Sequence, residues 1–226
     1  MKVCTDACLQ GAYTGAWLKQ EAIHHDQKGI RILDIGTGTG LLALMLAQEV
    51  PGARIDAIEM DEMAYRQARE NFENSSWIRF LRIFHGDIRT FHLPDQYDFI
   101  ICNPPFYEND LKSGHLRKDQ AKHGAALGYV ELMKVIAKNL LKDGSFCVML
   151  PPRQFEVFSK GIAEQGFYPQ ERLNVRHTTA HEVFRIIGYF KRTAQDLRTE
   201  ELSIKDEGHE YTVAFKSLLQ KYYLHL

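Results

Sequence analysis

The chain has 226 residues, and its 28 lysines and arginines against 29 aspartates and glutamates leave a formal net charge of −1. Length of this order suits one large α/β domain, or a domain with an appended module, with enough chain for a real core. With 45% hydrophobic and 25% charged residues, the composition excludes a disordered or fibrous protein. The charge balance excludes binding of a polyanion through the overall field, so any nucleic acid must meet a local basic patch. The longest apolar run, Leu41 to Ala47, is far short of a membrane span, and no signal-peptide pattern opens the sequence, so a cytoplasmic protein is expected. Four cysteines, Cys4, Cys8, Cys102 and Cys147, have no metal or disulfide spacing and are expected to be reduced thiols.

Residues 1–17 begin Met-Lys-Val-Cys-Thr-Asp and continue through Leu9, Ala12, Ala16 and Trp17. Thr5 or Asp6 is placed to cap a helix, which either covers a ligand site or is a plain surface helix. Ile30 to Ile35 reads as a strand running straight into Gly36-Thr37-Gly38-Thr39-Gly40, ahead of a helix from Leu41 to Glu49. A glycine-rich turn from strand to helix lets a ligand approach the backbone and offers it helix N–H groups. The spacing is G-x-G-x-G, whereas a dinucleotide fingerprint is G-x-G-x-x-G. Asp34, just before the loop, would repel a pyrophosphate and suits a ligand with a cationic amino-acid end.

Arg54 to Glu59 reads as the second strand. A carboxylate at its end, about 20 residues past the loop, can accept both hydroxyls of a ribose; the alternative is a helix-capping acid alongside Asp61. Asp61 to Asn74 is an amphipathic helix with Met63, Ala64, Ala68 and Phe72 at helical spacing. Trp77 to Phe84 is a third strand followed by His85-Gly86-Asp87-Ile88, where Asp87 can accept from an adenine amino group and Ile88 can pack on its ring. An aspartate in a turn after a strand is also common without any ligand.

Tyr97 to Cys102 is the fourth strand, apolar enough to be buried on both faces, and it stops at Asn103-Pro104-Pro105-Phe106. The prolines have no N–H for a ladder and stiffen the residues before them, so an amide, a carbonyl and an aromatic ring are held at the sheet edge. That is a seat for a flat nitrogen-bearing group, or a strand-ending turn. Glu108 to Gly124 is an irregular segment rich in Lys112, His115, Arg117, Lys118, Lys122 and His123. It is either a loop that closes over a nucleic-acid backbone or a solvated one.

Tyr129 to Leu141 is a helix, Gly144 to Leu150 the fifth strand, and Phe155 to Gln165 a further helix closed by Gly166. Phe167 to Val175 and Glu182 to Phe190 form an antiparallel pair around His177 and His181, which have no third partner and are not expected to hold a metal. Gln195 to Glu210 is polar and reads as a loop, and Tyr211 to Leu226 has a helical pattern. Strands and helices alternate from 30 to 165, which predicts a single α/β domain. Within it, residues 1–28 form an N-terminal segment, 29–192 the core and 193–226 a C-terminal strand and helix extension.

Asp-Ile-Gly-Thr-Gly-Thr-Gly resembles motif I of the class I S-adenosylmethionine-dependent methyltransferases, and Asn-Pro-Pro-aromatic resembles the motif of those that methylate planar nitrogens. Three further stretches narrow the likeness: the opening Met-Lys-Val-x-Thr-Asp, the segment Arg117 to His123, and the end Tyr-x-x-x-Phe-x-x-Leu-x-x-x-Tyr-Tyr-Leu. Over nearly the whole chain the sequence is similar to the tRNA1(Val) adenine-N6 methyltransferases. Cys4 and Ala7 stand where that family usually has glycines, and the chain begins where the family has usually passed a short extra segment.

The resemblance implies a Rossmann-like, mostly parallel seven-stranded sheet with an antiparallel terminal hairpin and helices on both faces. It implies S-adenosylmethionine as cofactor, held by Lys2, Thr5, Asp34, Gly36, Gly38, Gly40, Glu59, Met60, Asp87, Ile88 and Asn103. Catalysis would fall to Asn103, Pro104, Pro105 and Phe106. The target would be adenine N6 beside a tRNA anticodon, with Lys112, Arg117, Lys118, Lys122 and His123 as tRNA contacts. The rivals are guanine N2 of ribosomal RNA, a protein glutamine amide, or a non-catalytic module that binds the cofactor and RNA. A monomer or weak homodimer is expected, with no metal and no membrane.

Overall fold

The structure, a computed structural model, describes residues 5–23, 29–104 and 127–224. Its elements run α1 (Thr5–Ile23), β1 (Arg31–Ile35), α2 (Leu41–Glu49), β2 (Arg54–Glu59), α3 (Glu62–Glu73), β3 (Leu81–His85) and β4 (Tyr97–Cys102). After these come α4 (Tyr129–Asn139), β5 (Leu140–Leu150), α5 (Pro152–Ala163), β6 (Tyr168–Thr178), β7 (Val183–Lys191), β8 (Arg198–Lys205) and α6 (Val213–Leu219). One eight-stranded sheet has the order β3-β2-β1-β4-β5-β7-β6-β8. The first five strands in that order are parallel, and β7 runs antiparallel to both β5 and β6.

The central strands are apolar on both sides because helices cover both. Ile32, Phe99, Ile101 and Cys147 face a core shared with α1, α2 and α6, while Leu33, Ile100, Phe146 and Val148 face one shared with α4 and α5. Helix α1 lies close on α2 because two of its residues lack a side chain. A Cβ at Gly11 would stand 2.6 Å from the Met45 sulfur, and one at Gly15 would stand 2.8 Å from Glu49 Cβ. Trp17 then stacks on Tyr189 of β7 at 4.6 Å between ring centroids. The N-terminal helix is therefore part of the core.

The parallel α/β order with a terminal hairpin is as expected, and several boundaries differ. The sheet has eight strands, not seven, because Arg198–Lys205, inside the segment expected to be a loop, pairs parallel with β6. Its buried residues are Leu202 and Ile204, and the rest are charged or hydroxyl side chains, as suits an edge strand. The third strand begins at Leu81, because Ile78–Phe80 forms a 3-10 turn with no buried residue. The fifth begins at Leu140, where a register irregularity between Tyr97 and Phe99 lets the lysine and aspartate before Gly144 stay exposed. The last helix is only Val213–Leu219, capped by Thr212, whose Oγ1 accepts from the Phe215 N–H. Thr5 is already helical, and the Asp6 carboxylate accepts from Arg185 Nε at 2.9 Å instead of serving as a cap.

Candidate active site

Each of the strands β3, β2, β1 and β4 ends at one of the residues singled out, and these strands are neighbours. At the end of β1 the chain turns through Gly36, Gly38 and Gly40, which have φ of 68°, 59° and 82°. Positive φ is the left-handed region that only glycine enters freely. Gly36 and Thr37 donate to the Ile58 carbonyl of β2, and Gly40 begins α2 as its N-cap. A Cβ on Gly36 would meet nothing within 4 Å, so the loop borders open space. Gly40 packs in the other direction: a Cβ there would stand 2.5 Å from the Phe72 ring of α3. Asn71 braces the loop by donating to the Thr39 carbonyl at 2.8 Å.

Asp34 is completely buried beneath this loop. Burial raises its carboxyl pKa to about 7, against the Thr37 hydroxyl and the Ala43 N–H, which favour the ionised form. Thr37 Oγ1 donates to one carboxyl oxygen at 2.5 Å, whereas the other, Oδ1, has no hydrogen-bond partner. A buried acceptor left unmade costs about 1–3 kcal/mol, so a donor arriving there is well rewarded. Glu59, at the end of β2, accepts from the Gly38 N–H at 2.8 Å with one oxygen and from Met60 and Asp61 N–H with the other. Helix capping falls to Asp61 instead, whose carboxylate accepts from Ala64 N–H. Met60 is held by His85, whose Nε2 lies 3.1 Å from its carbonyl while the imidazole stacks on Tyr65.

At the end of β3, Asp87 is gripped by Arg89, whose backbone N–H and guanidinium both donate to it. That pairing holds the Asp87 carboxyl below its ordinary range. Ile88 beside it is buried in the α4/α5 core. At the end of β4, Asn103 is half-buried and Pro104 buried. Register sets the distances: Cys102 lies opposite both Ile35 of β1 and Val148 of β5, so Asn103 leaves the sheet level with the start of the glycine loop. The point is a topological switch, since the chain turns to opposite sides after β1 and β4.

Lys2, Pro105, Phe106, Lys112, Arg117, Lys118, Lys122 and His123 lie outside the described residues, as does the loop from Glu108 to Gly124. Sequence reasoning missed two polar supports. Gln10 of α1, with no exposed surface, donates from Nε2 to the Cys102 carbonyl at 3.0 Å and so fixes the peptide that precedes Asn103. Arg89 orients Asp87. A glutamine between Leu9 and Ala12 in an apolar helix was the visible sign of the first; the second left none beyond proximity. Cys102 and Cys147 are buried, and burial pushes both thiols up, Cys147 to about 11. Among the described residues no group of three or more His, Cys, Asp or Glu could hold a metal, and no helix is long and apolar enough to cross a membrane.

An acceptor set of this kind fits S-adenosylmethionine. The orphaned Asp34 oxygen suits an ammonium, the Glu59 carboxylate suits two hydroxyls, and the open side of Gly36 leaves room for both. Solved structures share the fold. A candidate class I S-adenosylmethionine-dependent methyltransferase of Listeria monocytogenes superposes with a TM-score of 0.67 at 14% identity, over 89% of this chain and 68% of that one. A predicted O-methyltransferase of Agrobacterium tumefaciens gives 0.66 at 16%, over 96% of each chain. The fold is that of the class I S-adenosylmethionine-dependent methyltransferases.

Residues 15–126 match the family model described as the methyltransferase small domain. The tRNA1(Val) (adenine(37)-N6)-methyltransferase of Flavobacterium psychrophilum is 38% identical over 226 residues, 99% of this chain and 93% of that protein. Its namesake in Bacteroides thetaiotaomicron is 36% identical, over 100% and 92% respectively. The chain belongs to the tRNA1(Val) (adenine(37)-N6)-methyltransferase family.

Proposed function

We propose that this protein methylates the N6 amino group of an adenine in the anticodon loop of a tRNA, using S-adenosylmethionine. The observation that carries the reading is Asn103-Pro104 leaving β4 level with the glycine loop, so that a planar amide acceptor stands next to the cofactor cradle. In that cradle Asp34 would hold the amino-acid end, Glu59 the ribose, and Asp87 with Ile88 the adenine ring. Bound there, the sulfonium supplies an electrophilic methyl group.

The chain's own residues prepare the nucleophile. An adenine amino nitrogen is weakly nucleophilic because its lone pair is delocalised into the ring. Asn103 Oδ1 and the Pro104 carbonyl accept its two N–H bonds, which favours a pyramidal nitrogen with its lone pair free to react. They also stabilise the positive charge that develops there, by acceptors already in place. Holding the reacting atoms in line contributes up to about 7–11 kcal/mol by proximity. The product nitrogen is acidic enough to lose its proton to water, so the site needs no dedicated base. Phe106, following in sequence, would stack on the target base for about 1–3 kcal/mol. An unpaired loop adenine is cheap to unstack.

Transfer of labelled methyl from S-adenosylmethionine to total tRNA of cells lacking this protein, followed by nucleoside analysis, tests the reading. N6-methyladenosine that disappears with Asn103→Ala is expected. Label in ribosomal RNA or protein instead, with tRNA unlabelled, would overturn the substrate and leave the site chemistry standing. Lys2 and the basic segment 112–123 lie outside the described residues and enter this proposal by sequence alone.

A further inference from the structure

The β6–β7 hairpin carries an aromatic pair, Phe184 packed against the core and His177 exposed above it, that the cofactor site does not use. Ile186 of β7 lies opposite Leu150, the last residue of β5, so everything from Thr178 to Arg185 rises past the catalytic edge of the sheet. Here the ladder slips: Val175 faces Arg185 but Arg176 faces Val183, which leaves Phe184 without a partner in β6. A bulge of this kind turns a side chain out of register and recurs beside active sites. Phe184 uses it to meet His177, with 3.8 Å between ring centroids and 11° between planes. The Arg185 guanidinium stands 5.2 Å from the same Phe184 ring. His177 itself is exposed while Phe184 is half-buried against the core, so one imidazole face rests on the Phe184 ring, and the His181 ring stands edge-on at 6.3 Å between centroids.

The turn that presents this pair is braced by polar contacts. Arg176 Nη1 donates to the His181 carbonyl at 3.0 Å, and Thr178 Oγ1 shares a 2.6 Å hydrogen bond with His181 Nδ1. Arg185 is tied to Asp6 of α1 and Arg176 to Glu201 of β8. None of these bonds passes through the His177 ring. A stacking surface held in place before binding loses little conformational entropy on contact.

We propose that His177, backed by Phe184, is a stacking platform for an unpaired base of the RNA substrate, a neighbour of the base that enters the Asn103 site. This rests on the RNA reading given above. Position supports it. Along β6, His177 lies four residues beyond Leu173, which is opposite Ile187 and so, through β5, level with Asn103. Four residues of strand and three strand spacings place it roughly 20 Å from Asn103. That lies within the reach of one RNA loop. Stacking also explains how a chain with no net positive charge holds RNA here, since a base face needs no cation. The nearby cations Arg176 and Arg185 are each engaged by a carboxylate, Glu201 and Asp6, which leaves the ring as the contact.

The test measures methyl transfer to tRNA over a range of tRNA concentrations for the wild type and for His177→Ala, His177→Leu and His177→Phe. Loss of one base stack corresponds to a roughly 5- to 150-fold fall in kcat/KM. The fall is expected through a higher KM for tRNA in the alanine and leucine variants, with phenylalanine restoring it. Affinity for S-adenosylmethionine without RNA and Tm should match the wild type, which separates stacking from damage to the fold. The platform is refuted if His177→Ala has the wild-type KM for tRNA, or if phenylalanine rescues no better than leucine. Absence of methyl transfer to tRNA by the wild type would overturn the RNA reading itself, and this proposal with it.

Discussion

Replacing Asp34 by Asn exposes a cost that the folded protein carries for its cofactor site. The carboxyl group is fully buried and its pKa is raised from 3.8 to about 7, mainly by desolvation. A raised acid binds its proton more tightly folded than unfolded, so its effect on stability is most favourable below the unfolded value and is lost as pH climbs to the folded one. Across that window, from about pH 4 to pH 7, the stability lost amounts to about 4 kcal/mol. Asparagine does not titrate and is spared this loss. It does place an amide N–H₂ where Oδ1 already lacks a partner, at a cost of about 1–3 kcal/mol. The Asp34→Asn variant should therefore fall roughly 1–3 kcal/mol below the wild type at pH 4, where the wild-type carboxyl is protonated, and exceed it by roughly 1–3 kcal/mol at pH 8. For a chain of this length, each kcal/mol moves Tm by about 2–4 °C. Thermal unfolding without S-adenosylmethionine, at closely spaced pH values, reads the difference directly. A Tm difference that stays constant with pH would refute the buried, titrating carboxyl.

Other perturbations probe the same cradle. Because an ammonium favours ionised Asp34, affinity for S-adenosylmethionine measured by calorimetry should rise about tenfold from pH 6 to pH 8 and level off; Asp34→Asn should flatten that profile while weakening binding throughout. Gly40→Ala forces a left-handed backbone at φ 82° and drives a methyl group into the Phe72 ring, a cost of roughly 2–5 kcal/mol in urea unfolding. Arg89→Leu frees Asp87. The partly exposed pair contributes up to about 1 kcal/mol, present above the ordinary carboxylate range and lost on acidification, so the two proteins should converge in stability below about pH 4. Affinity for S-adenosylmethionine should fall several-fold in the same variant, by titration near neutral pH.

Local chemistry made some of this legible in the sequence, and tertiary contact hid the rest. Helix α2 runs from Leu41 to Glu49 as read, since a glycine loop before it and a proline after it mark both ends. The strand before Asn103 was equally plain, because prolines cannot continue a ladder. Strand β8 was hidden because its outward row, Thr199, Glu201, Ser203 and Lys205, is polar, and pairing with β6, not apolar content, makes it a strand. Gln10 and Arg89 were hidden for a related reason. What each touches depends on where a remote helix or a neighbouring turn packs, and no local pattern encodes that. For Lys2, Pro105, Phe106 and the basic segment, the sequence remains the only guide.

On the proposed function, the order of the strands gives this cradle room for an extended ligand and a second planar group at once. Crossovers from β1 through α2 and α3 step in one direction to β2 and β3, while β4 begins again on the other side of β1. Each strand end can then display one polar residue: Asp87, Glu59, Asp34 and Asn103 come in that order across neighbouring strands. At about 4.8 Å per strand they span roughly 14 Å, a length that suits an adenine, a ribose and an amino acid laid end to end. On the same proposal the reacting atom would lie between the last two positions, where β1 meets β4. Placement there depends on the peptide after Cys102, whose carbonyl has its hydrogen bond from Gln10 of α1. Helix α1 in turn is fixed by Trp17 on Tyr189 and by Asp6 on Arg185, so the N-terminal helix links the catalytic strand end to the hairpin that carries His177. A change in α1 that leaves both cores intact can therefore still be felt at Asn103.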